Sequence, residues 1–298
     1  MKVLVTGTTG CIGGAVADLL RQKDVTVIAV NRARNAITAG NAVYADFAAD
    51  PEPPLLDVLR GCHAVVHAAA DLTENPLRTD LIKVNTLAAQ HLALQAHDAG
   101  VPVFLFFSTL SLLQRPLECP ITENHPVAPR TLYALSKYLA EETLRAVAQH
   151  TGLRLVIFRI SSPVGPGFRR TSFFAHCAER AYRHEPIPLR GQGQRRQDYM
   201  DARDIAHAVW AALTSPKAEG MYLIASGSPV SNYELAETCI RVLGSSSTIV
   251  FTGEPDPEEY THWAISVERA QRELGFRPRY DLSDSVRDYI AWKFGPTE

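Results

Sequence analysis

The sequence predicts an α/β fold, a doubly wound parallel sheet carrying a smaller α+β lobe. Three observations support this. Short β-branched runs alternate with longer amphipathic stretches from residue 2 to residue 160, which implies right-handed strand–helix–strand units. Several of those runs are apolar almost throughout, as strands buried on both faces must be. The alternation then stops at Ser161-Ser162-Pro163-Val164-Gly165-Pro166-Gly167, a stretch of turn residues.

In chain order, Lys2–Thr6 reads as the first strand and Ile12–Arg21 as the helix behind it. Strands follow at Val25–Val30 and Val43–Asp46, then the helix Pro54–Arg60 and the strand Ala64–Ala69. The long stripe Leu81–Ala99 reads as a helix, Val103–Ser108 as a strand, Leu132–Gln149 as a helix and Leu153–Ile160 as a strand. Beyond the turn, helices are expected at Thr171–His184, Ala202–Leu213, Ser231–Leu243 and Leu282–Phe294. The isolated strands Met221–Ala225 and Thr248–Phe251 are expected to pack as α+β structure on the sheet's carboxyl edge.

Bulk properties remove several function classes. The 298 residues are 46% hydrophobic and 21% charged, with a net charge of −2, an ordinary globular composition. That balance gives no reason to expect nucleic acid or an anionic membrane as partner. No apolar run approaches the roughly 20 residues that span a bilayer. Cys11, Cys62, Cys119, Cys177 and Cys239 are widely spaced, so they read as reduced thiols of a cytoplasmic protein, with no metal site. Met1-Lys2 leads straight into strand pattern, so no signal peptide is expected.

The stretch Val5-Thr6-Gly7-Thr8-Thr9-Gly10-Cys11-Ile12-Gly13-Gly14 joins the first strand to the first helix. Gly7 allows a sharp turn, Gly10 lets backbone approach a pyrophosphate, and Gly13 allows close helix–strand packing. The helix start offers unpaired N–H groups and a positive dipole end to phosphates. A nicotinamide dinucleotide is the expected occupant, contacted by Gly7, Thr9, Gly10, Cys11, Ile12 and Gly13 in a Rossmann-type domain. The second strand ends Asn31-Arg32-Ala33-Arg34 with no carboxylate to accept from a ribose hydroxyl. Arg32 and Arg34 suit a 2′-phosphate, so NADP is preferred. The alternative is NAD, with Asn31 bonding the ribose and both arginines solvated.

In Tyr133-Ala134-Leu135-Ser136-Lys137 the tyrosine and lysine stand four apart on a helix, so they share a face. A free tyrosine, with a pKa of about 10, is too weakly acidic for base work near neutrality. A neighbouring ammonium favours its phenolate, letting Tyr133 exchange a proton with a substrate hydroxyl while hydride moves at the same carbon.

The T-G-x-x-G-x-x-G turn, the strand end Ser108-Thr109 and Tyr133/Lys137 together resemble the extended short-chain dehydrogenase/reductase superfamily, in its NAD(P)-dependent epimerase/dehydratase branch, similar to UDP-glucose 4-epimerase. The resemblance runs across nearly the whole chain. It implies that Asp46 and Phe47 lie beside the adenine and Ala68, Ala69 and Ala70 under the dinucleotide, with Asn85 as the helix asparagine. It also implies that Thr109 shares the reacting oxygen with Tyr133, with Ser108 as runner-up, and that Lys137 holds the nicotinamide ribose. His67 reads as a core histidine. Dinucleotide binding then falls to residues 1–165, with 201–215 packing back on them, and substrate binding mainly to 166–298.

Sugar 4,6-dehydratases of this branch need an acid and a base directly after the hydroxyl residue, where this chain has Leu110 and Ser111. The expectation is therefore an oxidoreductase or epimerase and not a dehydratase. A nucleotide-activated sugar ranks first as substrate, with Ser108, Thr109, Ser162, Arg195 and Arg196 as contacts. Three departures stand against it: Ser162 replaces an asparagine and Gln197 an arginine, and Gly253-Glu254-Pro255-Asp256 is acidic where relatives carry an arginine. A non-sugar keto compound and a non-catalytic cofactor-binding regulator are the alternatives. The resemblance also implies a homodimer paired through Leu81–Ala99 and Leu132–Gln149.

Overall fold

The computed structural model describes residues 1–32, 42–49, 54–73, 75, 77–78, 80–113 and 115–295. Arg34 lies outside them. The first half runs β1 (Lys2–Thr6), α1 (Cys11–Gln22), β2 (Thr26–Asn31), β3 (Ala42–Tyr44), α2 (Leu56–Leu59) and β4 (Ala64–His67). It continues with α3 (Asp80–Ile82), a π-helical turn (Lys83–Leu87), α4 (Ala88–Asp98), β5 (Val103–Thr109), α5 (Leu132–Thr151) and β6 (Arg154–Ile160). The stripe Leu81–Ala99 is thus one helical run interrupted by a π turn.

The second half runs β7 (Ser162–Val164), α6 (Phe173–Tyr182), β8 (Ile187–Leu189), β9 (Arg196–Gln197), β10 (Tyr199–Asp201) and α7 (Ala202–Thr214). It ends with β11 (Gly220–Ile224), β12 (Val230–Ser231), α8 (Asn232–Val242), β13 (Ile249–Phe251), α9 (Glu268–Leu274) and α10 (Leu282–Phe294).

Seven strands form one sheet in the order β11-β6-β5-β4-β1-β2-β3, and each neighbouring pair is parallel. Alternation along β1 shows why its run is apolar. Val3 and Val5 join a core with Val16 and Leu20 of α1 and Ile205 and Val209 of α7. Leu4 faces the opposite core, with Leu92 of α4 and Leu144 of α5.

The strand expected at Met221–Ala225 corrects the sequence reading. As β11 it is the edge of the main sheet, parallel to β6, whereas Ile249–Phe251 pairs with β8 outside it. An apolar strand carries no mark of which sheet it joins, because long-range pairing decides that. The rest of the second half has its own core, in which Phe168 and Phe174 meet Tyr289 edge-on at 6.4 and 5.4 Å.

Strand order reverses about β1: the chain runs from β1 to β2 and β3 on one side, then crosses back to β4 on the other. A crevice therefore opens at the carboxyl ends of β1 and β4, the switch point where α/β folds bind ligands.

Candidate active site

The β1–α1 turn is held by contacts that only glycine permits. Gly7 has φ +70°, and a Cβ there would sit 2.9 Å from the Ala69 nitrogen. A Cβ on Gly13 would sit 2.3 Å from the Gly7 carbonyl oxygen, so the helix packs against the turn itself. Gly10 caps α1 without a side-chain bond, and no acidic residue occupies the first turn. The first N–H groups and the dipole are thus left for an anion.

The ends of β1 and β4 are tied side by side. The Thr6 hydroxyl accepts the Ala69 N–H at 2.9 Å and bonds His67 Nδ1 at 2.9 Å. Burial, with Lys137's charge adding to it, pushes His67 down to about 3, and its ring packs against Phe47 and Phe106. It is a neutral core ring.

A cavity of about 700 Å³ runs from this turn along the carboxyl edge. Gly7, Thr9, Gly10, Cys11, Ile12 and Gly13 line it, as do Ala68, Ala69 and Ala70. Asn31, Arg32, Asp46 and Phe47 form one end. Asn31 is buried, and its Oδ1 accepts the Thr8 hydroxyl at 2.9 Å. The Cys11 thiol donates to the Pro166 carbonyl at 3.4 Å. Burial, helped by Asp201, pushes that thiol up to about 12. A dinucleotide fits this cradle, since the close approaches that exclude Cβ atoms leave an open helix start facing the cavity.

Ser108, Thr109, Tyr133 and Lys137 line the other part. Thr131 caps α5 by accepting the Ala134 N–H at 3.1 Å, which starts the helix so that Tyr133 and Lys137 reach the same cavity. The Ser136 hydroxyl donates to the Tyr133 carbonyl at 2.7 Å. The Thr109 hydroxyl donates to Ser111 Oγ at 3.1 Å and accepts the Ser111 N–H at 3.1 Å. Lys137 is buried with its Nζ 3.9 Å from the centre of the Phe106 ring. Burial lowers it to about 7, against an opposing pull from Glu141.

Asn85 does not line the cavity. From the π turn it accepts the Asp71 N–H and donates to the Asp71 carbonyl, both at 2.8 Å, and donates to Ser136 Oγ at 3.0 Å. It joins the segment after β4 to α5. The sequence reading also passed over Glu141, whose carboxylate accepts Nε and one terminal nitrogen of Arg159 at 2.9 and 2.7 Å. Its signal was a carboxylate four residues after Lys137 on the same helix face.

At the far end Ser162 and Gln197 line the cavity and bond each other, Gln197 Nε2 donating to Ser162 Oγ. Arg195 and Arg196 do not line it. Each is ion-paired, Arg195 with Glu258 at 2.7 Å and Arg196 with Glu234 at 2.9 Å. Phe168, Trp263 and Ile265 complete that end. Among the described residues no group of three or more His, Cys, Asp or Glu could hold a metal ion. Nor is any helix there long and apolar enough to cross a membrane.

Residues 3–225 match the model of the NAD dependent epimerase/dehydratase family. A dTDP-glucose 4,6-dehydratase of Streptomyces griseus is 28% identical over 97% of this chain and 93% of its own. A UDP-glucose 4-epimerase of Vibrio cholerae is 28% identical over 78% of this chain and 73% of its own. Among solved structures, a UDP-glucose 4-epimerase of Thermotoga maritima, described with UDP-glucose, superposes with a TM-score of 0.86 over 98% of both chains at 23% identity. With its parallel sheet, its glycine turn and Tyr133 and Lys137 on one cavity, the chain belongs to the NAD-dependent epimerase/dehydratase family, within the extended short-chain dehydrogenase/reductase superfamily, and is an enzyme.

Proposed function

We propose that the protein is an oxidoreductase or epimerase that transfers hydride at a secondary alcohol or ketone carbon, using NADP in preference to NAD. The observation that carries this is the convergence of Thr109, Tyr133 and Lys137 on the cavity that begins at the glycine turn. A bound nicotinamide dinucleotide would accept or supply the hydride. Tyr133 moves the proton between its hydroxyl and the substrate oxygen, and Thr109 bonds that same oxygen. Lys137 holds the nicotinamide ribose and favours the phenolate. The NADP preference is supported by Arg32 on the cavity wall and by Asn31 in the place of an acid.

Elimination of water is not proposed, although the Streptomyces griseus relative is named a dehydratase. Leu110 and Ser111 supply neither acid nor base after Thr109, and Ser111 is engaged with the Thr109 hydroxyl. The relatives' names support a sugar as the reacting part and, by the same token, a nucleotide-activated one. A second reading, an unactivated hydroxy or keto compound, is favoured by the neutral Ser162–Gln197 pair.

Residues 1–165 and α7 would carry the dinucleotide, and the second-half core the substrate. A homodimer is supported by leucines left exposed on the two expected helices, Leu87 and Leu94 on one and Leu135 and Leu139 on the other. Five free cysteines suit a cytoplasmic location.

The test is Tyr133→Phe. NADPH oxidation over a panel of ketones and nucleotide sugars should fall at least about a hundredfold, with NADPH binding retained. Unchanged turnover would remove Tyr133 from the chemistry. Conversion of dTDP-glucose to a 4-keto-6-deoxy product would refute the exclusion of dehydration.

A further inference from the structure

The charges around the far end of the cavity are arranged against a polyanion. Ser162 and Gln197 satisfy each other there as a neutral pair. The next residue, Asp198, is buried on the same wall. Its carboxylate accepts the Ser226 N–H at 2.9 Å, the Ser226 hydroxyl at 2.8 Å and the Gly227 N–H at 2.9 Å. Among the described residues it has no ion pair, so its negative charge is solvated by dipoles and not cancelled by a cation.

The arginines that would offset it are committed elsewhere. Arg190, Arg195 and Arg196 are paired with Glu254, Glu258 and Glu234 at 2.9, 2.7 and 2.9 Å, and none of the three lines the cavity. Arg78 does line it, but divides its guanidinium between Asp71 at 2.9 Å and Asp80 at 2.8 Å. That trio carries a net negative charge. Arg169 and Arg170 also line the cavity, and only Phe168 separates them from Gly167. A Cβ at Gly167 would lie 3.4 Å from Cys11 Cα, the first residue of α1. The Arg169 guanidinium stacks over the Trp292 ring, 5.3 Å from its centre, and the loop carrying both cations passes the helix start, where the dinucleotide's own pyrophosphate belongs. Much of the remaining wall is apolar, from Leu72, Leu110, Phe168, Trp263 and Ile265.

From this we infer that the substrate is an uncharged hydroxyl- or carbonyl-bearing compound with an apolar face, carrying no diphosphate. The inference rests on the hydride-transfer reading and decides between its two substrate classes. The Gln197 amide and Ser162 hydroxyl bond the compound's neutral oxygens. Its apolar face lies on Phe168 and Trp263.

The experiment is calorimetric titration of the NADPH-saturated protein with UDP and with UDP-glucose, so that the dinucleotide site cannot take the probe. The wild type should show no saturable binding up to millimolar UDP. Gln197→Arg and the Ser162→Asn/Gln197→Arg double variant should bind UDP at least about tenfold more tightly than wild type, through the restored charge-assisted contacts. Saturable micromolar binding of UDP to the wild type would overturn the inference, and so would turnover of UDP-glucose in preference to uncharged ketones. If the variants fail to fold, the wild-type titration and the turnover panel still decide. Failure to bind either NADPH or NADH would instead sink the hydride-transfer reading, leaving UDP binding to judge the cavity by itself.

Discussion

Glu141 lies one helical turn beyond Lys137 on α5, and Arg159 of β6 grips its carboxylate at two points. The acid beneath the site is therefore committed to a buried ion pair, with Arg145 adding a third contact at 2.8 Å. Lys137 is left among apolar neighbours with its charge weakly supported.

That relationship sets a pH dependence in the cofactor-free protein. Lys137 titrates at about 7 when folded, below its ordinary 10.5. Between those values the unfolded chain binds the extra proton, so stability rises with pH. The penalty of burying the charge is complete below pH 7 and is relieved progressively towards pH 10.5. The contribution amounts to at most about 1.4 kcal/mol per pH unit. Urea unfolding of wild type and Lys137→Met between pH 6.5 and 9.5 should show this slope only in the wild type. Equal slopes would refute it. The same variant should lose at least about a hundredfold in turnover.

Breaking the Glu141–Arg159 pair from one side should be costly. Glu141→Gln or Arg159→Met strands a buried charge, for an expected loss of about 3–5 kcal/mol. The double variant should lose clearly less than the sum, which a double-mutant cycle in urea measures. Burial opposes ionisation of Glu141, but the Arg159 hydrogen bonds and charge outweigh it and hold the carboxyl below its ordinary 4.5. The pair's stabilisation should therefore persist above pH 4.5 and disappear as pH falls through that lowered value.

The glycines should separate folding from binding. Gly13→Ala puts a methyl 2.3 Å from the Gly7 carbonyl, a backbone clash that should cost about 1–3 kcal/mol or more. Gly10→Ala meets only a 3.3 Å contact, so its melting temperature should stay close to wild type. Its NADPH affinity should nevertheless fall at least about tenfold, because the methyl enters the pyrophosphate's approach. Calorimetric melting and fluorescence titration distinguish the two effects.

Cofactor choice should follow the end of β2. Arg32→Ala should weaken NADPH by about tenfold or more while leaving NADH nearly unchanged. Asn31→Asp should shift preference towards NADH, because a carboxylate repels a 2′-phosphate. Equal loss for both cofactors in Arg32→Ala would place that arginine away from the ribose.

What the residues disclosed in advance was local. The glycine turn was legible because its spacing and its strand–helix context travel together in the chain. Tyr133 and Lys137 were legible because four residues make nearly one helical turn. The missed features involve partners distant in sequence. Arg195 and Arg196 looked available as a basic cluster, but their acids arrive 63 and 38 residues later, at Glu258 and Glu234. The Ser162–Gln197 contact spans 35 residues, and nothing near either one announces it. Asn85 was read as a helix asparagine, but its bonds to Asp71 and Ser136 could not be, because the π turn from which it makes them leaves no compositional trace.

The position of β11 has a consequence for how the molecule can be divided. The chain leaves the sheet after β6, builds β7, α6, β8, β9, β10 and α7, and only then returns to lay down the outermost strand. A fragment cut at residue 165 would bare the whole flank of β6, a long apolar edge primed to recruit strands from other molecules. The two halves are therefore not interchangeable modules. A new specificity cannot be grafted by swapping everything after residue 165, and engineering must exchange loops within a sheet that the later half itself completes.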